Sequence, residues 1–278
     1  MSAPVKACVI GWPVEHSRSP LIHGAWLKEY GINGVYTREA VPPEALPDFL
    51  ASLEERGYAG CNVTVPHKEA VLELVGHADE TARAIGAANT LWFEDGALCA
   101  TNTDAAGFMA HLEASAPGWN AAGRPAAVLG AGGAARAVLK ALADAGVSEI
   151  RLMNRTRARA DALAEQFGPA VRVADWEARA QALEGCGLLV NTTALGMAGN
   201  APLELSLAAL PRDAVVYDIV YVPLETALLK QARARGNRCV DGLGMLLHQA
   251  VPGFEKWFGV RPQVTPQLRA LVAADLEA

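Results

Sequence analysis

A strand, a glycine-rich turn and a helix follow one another directly in residues 126–146, which read AAVLGAGGAARAVLKALADAG. Gly130, Gly132 and Ala135 satisfy the spacing G-x-G-x-x-[G/A]. In a dinucleotide-binding unit the first glycine makes the tight turn, the second lets a pyrophosphate approach the backbone, and the third small residue lets the helix pack on the strand. The stretch predicts such a unit, and a tight strand–helix turn without a ligand is the alternative.

Apolar, strand-like runs alternate with helical patterns over nearly the whole chain. This alternation predicts an α/β fold with a mostly parallel sheet. A segment rich in Ala, Gly and Pro at 111–125 forms a soft break just before the glycine turn, which favours two domains. The predicted strands cover residues 6–11, 34–41, 60–65, 126–130, 149–154, 187–191 and 214–220.

The strand that follows the glycine turn ends in a basic and polar segment, RLMNRTRARA, at residues 151–160. NAD sites usually place a carboxylate there to bind the ribose 2′-hydroxyl, whereas this chain has Asn154, Arg155, Thr156 and, one turn later, Arg159. Guanidinium groups and a hydroxyl attract a 2′-phosphate. Because cations are slightly disfavoured at a helix N-terminus, an anionic ligand explains them better than a solvated helix start. The sequence therefore predicts NADP as the cofactor.

Charge and cysteine usage exclude several other classes of protein. The 278-residue chain has 51% hydrophobic residues and a net charge of −6, which argues against a nucleic-acid partner because such a partner requires a basic face. The five cysteines are scattered and form no C-x-x-C pair, and the six histidines show no metal-ligand spacing, so no metal site is expected. The N-terminus has no signal-peptide pattern, and the longest uncharged stretch, 185–203, is too polar for a membrane span. We therefore expect a soluble cytoplasmic protein.

A second polar cluster falls at the end of a predicted strand, in NVTVPHK at residues 62–68. Asn62 and Thr64 alternate with two valines, as in a half-buried strand. Pro66 ends the strand pattern because it has no N–H for the sheet, and Lys68 follows just beyond it. The segment thus gathers an amide, a hydroxyl and an amine near one strand end.

Together these motifs resemble the shikimate dehydrogenase family over nearly the whole chain. The motifs that carry the resemblance are HSRSP (16–20), NVTVPHK (62–68), GAANT (86–90), NTDAAG (102–107), GAGGAAR (130–136), NRT (154–156), NTTALGM (191–197), DIVY (218–221) and DGLGMLLHQA (241–250). Their order along the chain makes the combination specific. Two departures, Ala88 in GAANT and the form of NTTALGM, touch no polar contact position.

The resemblance implies both an architecture and an activity. It implies an N-terminal α/β substrate domain over 1–104, a Rossmann-like parallel-sheet NADP-binding domain over 105–241, and C-terminal helices over 242–278 that return to the first domain. The activity implied is the reversible, NADP-linked interconversion of 3-dehydroshikimate and shikimate. The partner expected is therefore a small molecule, and the protein is expected to be a monomer or homodimer.

The resemblance also implies roles for individual residues. The expected substrate-binding residues are Ser17, Ser19, Asn62, Thr64, Asn89, Tyr221 and Gln249. The expected cofactor-binding residues are Gly130, Ala131, Gly132, Gly133, Ala134, Asn154, Arg155, Thr156, Arg159, Asn191, Thr192, Ile219 and Gly242. Ser17 and Ser19 are spaced i, i+2, so an extended segment would point both hydroxyls at the substrate carboxylate, with Tyr221 as a third donor. Capping and turn roles for the serines and Thr64, a structural role for Asn89, and a solvated position for Gln249 are the alternatives.

Lys68 and Asp104 are the expected catalytic residues. Reduction of a ketone by hydride leaves negative charge on oxygen, and an amine is the candidate proton donor where no zinc ligands are found. Asp104 would pair with Lys68. The alternatives are a lysine that extends along the surface and an aspartate that caps the helix after residue 104. His67 is expected to be an exposed bystander.

Two other functions are compatible with parts of this pattern. An NAD-linked quinate/shikimate dehydrogenase would act on a substrate with one more ring hydroxyl, and its cofactor strand would carry an acidic residue. A non-catalytic NADP-binding sensor would have lost the lysine or its acidic partner. Asn154, Arg155 and Thr156 argue against the cofactor of the first but leave its substrate open. The presence of Lys68 and Asp104 argues against the second.

Overall fold

The computed structural model describes residues 3–277. The chain forms two compact units. The first unit contains the chain through Asp104 together with the chain from Gln249 onward, and the second unit is Ala105–His248. Within residues 3–277, no helix combines the length and the apolarity that a membrane span requires.

The first unit is built on a six-stranded sheet. Its elements are, in chain order, β1 (Val5–Gly11), α1 (Ser19–Glu29), β2 (Gly34–Ala40), α2 (Leu46–Ala51), β3 (Tyr58–Val63), α3 (Lys68–Leu74), β4 (His77–Ala78), α4 (Glu80–Ile85), β5 (Thr90–Glu94), β6 (Ala97–Thr101) and α5 (Asp104–Ser115), in which the chain passes into the second unit. The strand order is β2-β1-β3-β5-β6-β4. In the middle of this sheet β1 runs parallel to β2 and β3, whereas β5 runs antiparallel to both β3 and β6.

The β5–β6 hairpin makes this sheet mixed, whereas the alternation of elements predicted a mostly parallel one. The two strands are joined by Asp95 and Gly96, with φ values of 51° and 76°. Positive φ at both central residues is typical of the tight two-residue turn that suits a hairpin, and an Asp-Gly pair is the usual sequence signal for it. The Asp95-Gly96 pair is thus a local sequence signal for this hairpin, which was not among the predicted elements.

The second unit is built on a six-stranded sheet whose strands are all parallel. Its elements are β7 (Ala126–Leu129), α6 (Gly133–Asp144), β8 (Ile150–Met153), α7 (Arg157–Phe167), β9 (Val171–Ala174), β10 (Leu188–Asn191), β11 (Val215–Asp218), α8 (Ala227–Ala234), β12 (Arg238–Val240) and α9 (Leu243–Phe258), in which the chain returns to the first unit. The strand order is β12-β11-β10-β7-β8-β9. This is the doubly wound order of dinucleotide-binding folds, and its topological switch point lies between β7 and β10. The prediction of a Rossmann-like parallel sheet is confirmed.

The central strands of this sheet were predicted, whereas the outer strands β9 and β12 were not. All four residues of β7 and of β10 are buried, as expected for strands covered on both faces. By contrast, β9 and β12 are short and carry the exposed arginines Arg172 and Arg238. Charged side chains are a common feature of sheet edges. They interrupt the run of apolar residues from which a strand is predicted.

The C-terminal helices complete the first unit. The chain rejoins that unit at Gln249, inside α9, rather than at residue 242. The reason lies at Gly244, where an added Cβ would fall 2.0 Å from the ring of His111 in the second unit. Farther along, Trp257 donates its indole N–H to the Leu91 carbonyl at 2.8 Å, which ties α9 to β5. The last helix, α10 (Pro266–Glu277), follows in the same unit.

Candidate active site

Lys68 and Asp104 form an ion pair in the first unit, with 2.6 Å between Lys68 Nζ and Asp104 Oδ2. Each is the first residue of its helix, α3 and α5. The side chains are 29% and 16% exposed, so the pair is accessible but partly withdrawn from water. Asp104 is not a capping residue, since the Asn102 side chain accepts its backbone N–H. Its carboxylate is instead committed to side chains that converge at the carboxyl end of β3.

Asn89 holds the other oxygen of this carboxylate. Its Nδ2 donates to Asp104 Oδ1 at 2.8 Å. Its Oδ1 accepts from the backbone N–H of Thr103 at 2.8 Å and from the Thr90 hydroxyl at 3.0 Å. Because every partner of Oδ1 is a donor and the partner of Nδ2 is an acceptor, the amide has one allowed orientation. The structure thus brings Lys68, Asn89 and Asp104 together.

Asn62, which was expected to contact substrate, lies behind this group rather than in it. The residue is buried, and its Nδ2 donates to the Asn89 carbonyl and to the Thr90 hydroxyl, both at 3.1 Å. Its Oδ1 accepts from the phenol of Tyr36 at 2.6 Å. Both amide hydrogens are therefore used within the protein. The alternation in NVTVPHK located Asn62 on the polar face, but it could not show that Tyr36, Asn89 and Thr90 take up its amide within the protein.

Thr64 lies just past β3, in partly exposed backbone. Its methyl group packs on Gly11, where an added Cβ would be 2.5 Å from Thr64 Cγ2. The alternation predicted for this segment stops at Val63, and Val65 is 70% exposed rather than buried. The strand ends earlier than predicted because the turn that contains Pro66 has already begun.

His67 is buried rather than exposed, with 1% of its surface accessible. Its Nε2 lies 2.7 Å from the Val41 carbonyl, and since a carbonyl only accepts, Nε2 carries the proton. The side chain therefore links the turn before α3 to the segment after β2. This contact helps to set where α3, and with it Lys68, begins.

Ser17 and Ser19 flank the start of α1, and the segment between them is not extended. Arg18 has φ −90° and ψ −2°, and Ser17 Oγ accepts the Ser19 backbone N–H at 3.3 Å, as a residue preceding a helix does. The Arg38 guanidinium also donates to the Ser17 carbonyl at 3.0 and 2.7 Å. The two serines are close in space, although the helix start, rather than an extended segment, places them there.

The cofactor residues predicted from the glycine turn line a cavity of about 290 Å³ in the second unit. The cavity lies at the carboxyl ends of β7, β8 and β10, the switch point of the sheet. It is lined by Gly130, Ala131, Gly132, Asn154, Arg155, Trp176, Thr192, Thr193, Ala194, Leu195 and Asn200. Gly133 and Ala134 follow as the first residues of α6. Trp176, Asn200 and the segment 193–195 were not predicted as site residues.

Gly130 and Gly132 in the turn are glycines for different structural reasons. Gly130 has φ +105°, and an added Cβ would be 2.6 Å from Thr192 Oγ1. Gly132 has nothing within 4 Å of an added Cβ, so open space lies before the N-terminus of α6. The first glycine is thus required by the protein itself, whereas the second leaves room for a ligand. Open space beside the free N–H groups of a helix start fits a pyrophosphate.

Arg155 lines the cavity, and no Asp or Glu does so among the described residues. Asn154 Nδ2 donates to the Thr156 carbonyl at 2.8 Å, which shapes the loop before α7. Arg157, by contrast, is paired with the carboxylate of Asp175 and is not among the cavity residues. Arg159 is exposed on α7 and is not among the cavity residues. This arrangement fits a phosphate that is bound chiefly by Arg155.

Asn191 was expected near the ribose or phosphates, but its side chain points into the protein. Its Nδ2 donates to Asp218 Oδ1 at 2.9 Å, and its Oδ1 accepts from Thr193. Burial raises the pKa of the Asp218 carboxyl, while hydrogen bonds from Thr226, from the Val220 N–H and from Asn191 oppose that rise. This network shapes the loop that lines the cavity. Thr192 does line the cavity, although its hydroxyl donates to the Leu129 carbonyl at 2.6 Å.

The remaining predicted residues are divided between the two units. In the second unit Gly242 lies directly against Ile219, because an added Cβ at 242 would be 2.0 Å from the Ile219 carbonyl oxygen. Tyr221 follows Ile219 in this unit and is partly exposed. Gln249, partly buried, begins the part of α9 that belongs to the first unit. No group of three or more potential metal ligands occurs within residues 3–277.

Three family models match the chain. Residues 9–91 match the shikimate dehydrogenase substrate binding domain, residues 113–197 match shikimate / quinate 5-dehydrogenase, and residues 242–271 match the shikimate 5′-dehydrogenase C-terminal domain. Among curated relatives, a shikimate dehydrogenase (NADP(+)) of Paramagnetospirillum magneticum is 62% identical over 267 residues. The match covers 96% of this chain and 97% of that protein.

Solved structures of similar fold include two with different cofactors. The shikimate 5-dehydrogenase of Thermus thermophilus, in complex with NADP(H) and shikimate, is 38% identical with a TM-score of 0.86. The comparison covers 98% of this chain and 99% of that one. The quinate dehydrogenase of Corynebacterium glutamicum, in complex with NAD, is 32% identical with a TM-score of 0.89. That comparison covers 98% of this chain and 100% of the other.

Proposed function

This chain belongs to the shikimate dehydrogenase family, and we propose that it catalyses the NADP-dependent, reversible reduction of 3-dehydroshikimate to shikimate, a step of aromatic amino acid (chorismate) biosynthesis. The observation that carries the proposal is the Lys68–Asp104 ion pair, held by Asn89 at a strand end. An oxidoreductase of this type needs a proton donor next to the reacting carbonyl, and an ammonium group paired with a carboxylate provides one.

The chemistry divides between the cofactor and the protein. Bound NADPH supplies the hydride, which becomes attached to the carbonyl carbon of the substrate. Lys68 then gives a proton from Nζ to the oxygen on which negative charge develops, and the product is an alcohol. Asp104 holds the amine in place and stabilises its charged form. In the oxidation direction Lys68 takes the proton back from the hydroxyl.

The groups around the pair suit a substrate with a carboxylate and several hydroxyls. Ser17 and Ser19 bind the carboxylate, with Tyr221 as a further donor, and Thr64, Asn89 and Gln249 bind ring hydroxyls. Asn62 supports these residues from behind. Short polar groups on strand ends and helix starts provide rigid, well-defined positions for such a ligand.

The second unit holds the cofactor. The N–H groups at the start of α6 and the loop of Gly130 to Ala134 bind the pyrophosphate, Arg155 binds the 2′-phosphate with Asn154 and Thr156, and Arg159 adds positive charge. Thr192 borders the phosphates and ribose, and Ile219 and Gly242 border the nicotinamide. Asn191 shapes this loop through its bond to Asp218.

The experiment that tests the function is a spectrophotometric assay at the absorbance of reduced nicotinamide. Shikimate and quinate are each combined with NADP and with NAD, which gives four pairings. We expect the highest kcat/KM for shikimate with NADP. The structural similarity to an NAD-bound quinate dehydrogenase makes the opposite pairing the informative alternative. If kcat/KM for quinate with NAD were equal to or greater than that for shikimate with NADP, the protein would instead be an NAD-linked quinate dehydrogenase.

Replacing Arg155 by Asp is expected to weaken the preference for NADP. The substitution removes a guanidinium that lines the cavity and places a carboxylate near the 2′-phosphate. Hydrogen bonds to charged groups contribute roughly 1.5–3 kcal/mol each, so the KM for NADP should rise at least about tenfold. Steady-state kinetics with both cofactors measure the effect. Arg172→Asp, the same change on an exposed edge strand of the same unit, is the control and should leave the KM for NADP unchanged.

Replacing Ser17 by Ala is expected to raise the KM for shikimate with little change in kcat. Ser17 is proposed to bind a carboxylate that takes no part in the reaction, so its loss removes binding shared by the ground and transition states. Initial rates over a range of shikimate concentrations, at saturating NADP, provide the measurement. An unchanged KM in a variant with the parent's thermal stability would rule out this role for Ser17.

The cellular setting forms the last part of the proposal. We place the enzyme in the cytoplasm, as a monomer or homodimer that acts on small molecules without a nucleic-acid partner. The net charge of −6 supports the exclusion of nucleic acid. Light scattering of the purified protein distinguishes monomer from homodimer.

A further inference from the structure

A line of buried hydrogen bonds leads from the Lys68–Asp104 pair into the interior of the first unit. From Asp104 it passes to Asn89 at 2.8 Å and on to the Thr90 hydroxyl at 3.0 Å. Thr90 is joined to the Asn62 amide at 3.1 Å, and Asn62 to the phenol of Tyr36 at 2.6 Å. We call these residues, from Tyr36 through Asn62, Thr90 and Asn89 to Asp104, the amide line.

Each bond in the amide line has a defined direction. Asp104 only accepts, so Asn89 presents Nδ2 to it and Oδ1 to Thr90. The Thr90 hydroxyl donates to Asn89 Oδ1 beside the backbone N–H of Thr103, and the Thr90 oxygen accepts from Asn62 Nδ2. Asn62 Oδ1 is left facing Tyr36, which donates. Reversal of either amide would place donor against donor or acceptor against acceptor.

Burial makes these directions matter for the structure. Thr90 is 0% exposed, and Tyr36, Asn62 and Asn89 are also buried. In such surroundings water does not readily replace a missing donor or acceptor. When one hydrogen bond is lost, the neighbouring side chain therefore tends to change its orientation. If Asn62 were to turn over, the Thr90 hydroxyl would face an acceptor on Asn62 and would no longer donate to Asn89.

Tyr36 is well suited to fix the inner end of the line. Its ring stacks on the buried imidazole of His23, with centroids 4.0 Å apart and planes 10° apart. Desolvation raises the pKa of the Tyr36 phenol well above its ordinary value, so the hydroxyl stays protonated and remains a donor. A hydrogen bond with the Ser19 hydroxyl opposes that rise. The line therefore also reaches a serine that is proposed to bind the substrate carboxylate.

We propose that Thr90 and Tyr36, whose hydroxyls donate to the buried amides of Asn89 and Asn62, are positioning residues that fix the Asn89 amide and thereby the geometry of the Lys68–Asp104 pair. This inference rests on the proposed function of that pair. It predicts that the two hydroxyls influence proton transfer and have no part in cofactor binding.

The test replaces Thr90 by Val, which has the same shape without the hydroxyl, and by Ser, which retains it. Small displacements of catalytic groups are costly, about 100-fold per ångström at the extreme, so we expect kcat to fall about 5- to 20-fold in Thr90→Val. The KM for NADP should stay unchanged, and Thr90→Ser should recover most of the rate. Thr101→Val is the matched control, because Thr101 lies opposite Thr90 on β6 but bonds to Asp79 instead.

A double-variant cycle separates positioning from general destabilisation. In a Lys68→Ala background, Thr90→Val should change the residual kcat by less than about twofold, because residues that act through one group are not additive. Tyr36→Phe is carried through the same cycle, so the proposal stays testable if Thr90→Val fails to fold. A kcat within twofold of the parent in both single variants would overturn the proposal, as would a full effect in the Lys68→Ala background.

These outcomes are distinct from failure of the proposed function. If the parent enzyme does not oxidise shikimate with NADP, the function itself is wrong. If the parent is active and the cycle shows independent effects, only the positioning role is wrong.

Discussion

Replacing Lys68 by Ala should lower kcat by roughly 10²- to 10⁴-fold, the usual contribution of a general acid or base. The substitution removes the Lys68 ammonium group, which lies 2.6 Å from the Asp104 carboxylate near the carboxyl end of β3. NADP affinity should be nearly unchanged, because the cofactor residues belong to the second unit. Steady-state kcat in both directions, with a direct NADP titration of the same preparation, measures the two effects.

Lys68→Arg distinguishes proton transfer from simple positive charge. A guanidinium keeps the charge and can bind a carboxylate, but it does not release a proton near neutral pH. We expect Lys68→Arg to be nearly as slow as Lys68→Ala. If either variant has a kcat within threefold of the parent, Lys68 is not the proton-transfer group, and the strand end is only a binding surface.

Replacing Asp104 by Asn should also be severe, with kcat/KM reduced by roughly 10²-fold or more. The two carboxylate oxygens accept from different donors, Lys68 and Asn89. An amide has only one oxygen, so its NH2 group would face either the ammonium of Lys68 or the amide hydrogens of Asn89. The effect is expected on both kcat and KM, because Asn89 is proposed to bind a ring hydroxyl.

The control for this change is Asp48→Asn on the exposed face of α2, which alters the net charge equally. It should have the kinetics of the parent. Near-parental kinetics in Asp104→Asn would show that the negative charge at 104 is not needed, and the assignment of Lys68 would then require another partner.

The second unit was predictable because its signals are local. The glycine spacing specifies a strand, a turn and a helix in sequence, and the absence of a carboxylate after β8 indicates the cofactor. The structure adds the reason for Gly130, where an added Cβ would collide with Thr192 in the loop just after β10. That contact joins segments far apart in sequence, so no local pattern could reveal it.

The first unit was less predictable because its sheet is mixed. Polarity in NVTVPHK marked Asn62 and Thr64 as members of one face, yet Asn62 is buried with its amide bonded inside the protein, whereas Thr64 is partly exposed. His67 was expected to be exposed, whereas its imidazole is buried and lies against the Val41 carbonyl. Whether a polar residue faces a ligand or the protein depends on the strand beside it, and the strand order is not written in any single motif.

Asn191 shows the same limit in the second unit. Its position at the end of β10 suggested a contact with the cofactor, but the buried carboxylate of Asp218 on the neighbouring strand engages its amide. Asn62 and Asn191 are both amides at strand ends, and both support the loops or side chains that line a site. A family motif identifies such residues as important, but only the structure shows whether their amides contact a ligand or the protein.

The proposed reaction is the reduction of 3-dehydroshikimate by NADPH, with the proton supplied by Lys68. The most direct test is a single-turnover experiment in which enzyme with bound NADPH is mixed with 3-dehydroshikimate, and the loss of NADPH and the appearance of shikimate are followed together. We expect one shikimate to form for each NADPH consumed, and the rate for Lys68→Ala to be slower by roughly 10²-fold or more. Consumption of NADPH without shikimate, or formation of shikimate by Lys68→Ala at a rate within threefold of the parent, would contradict this proposal.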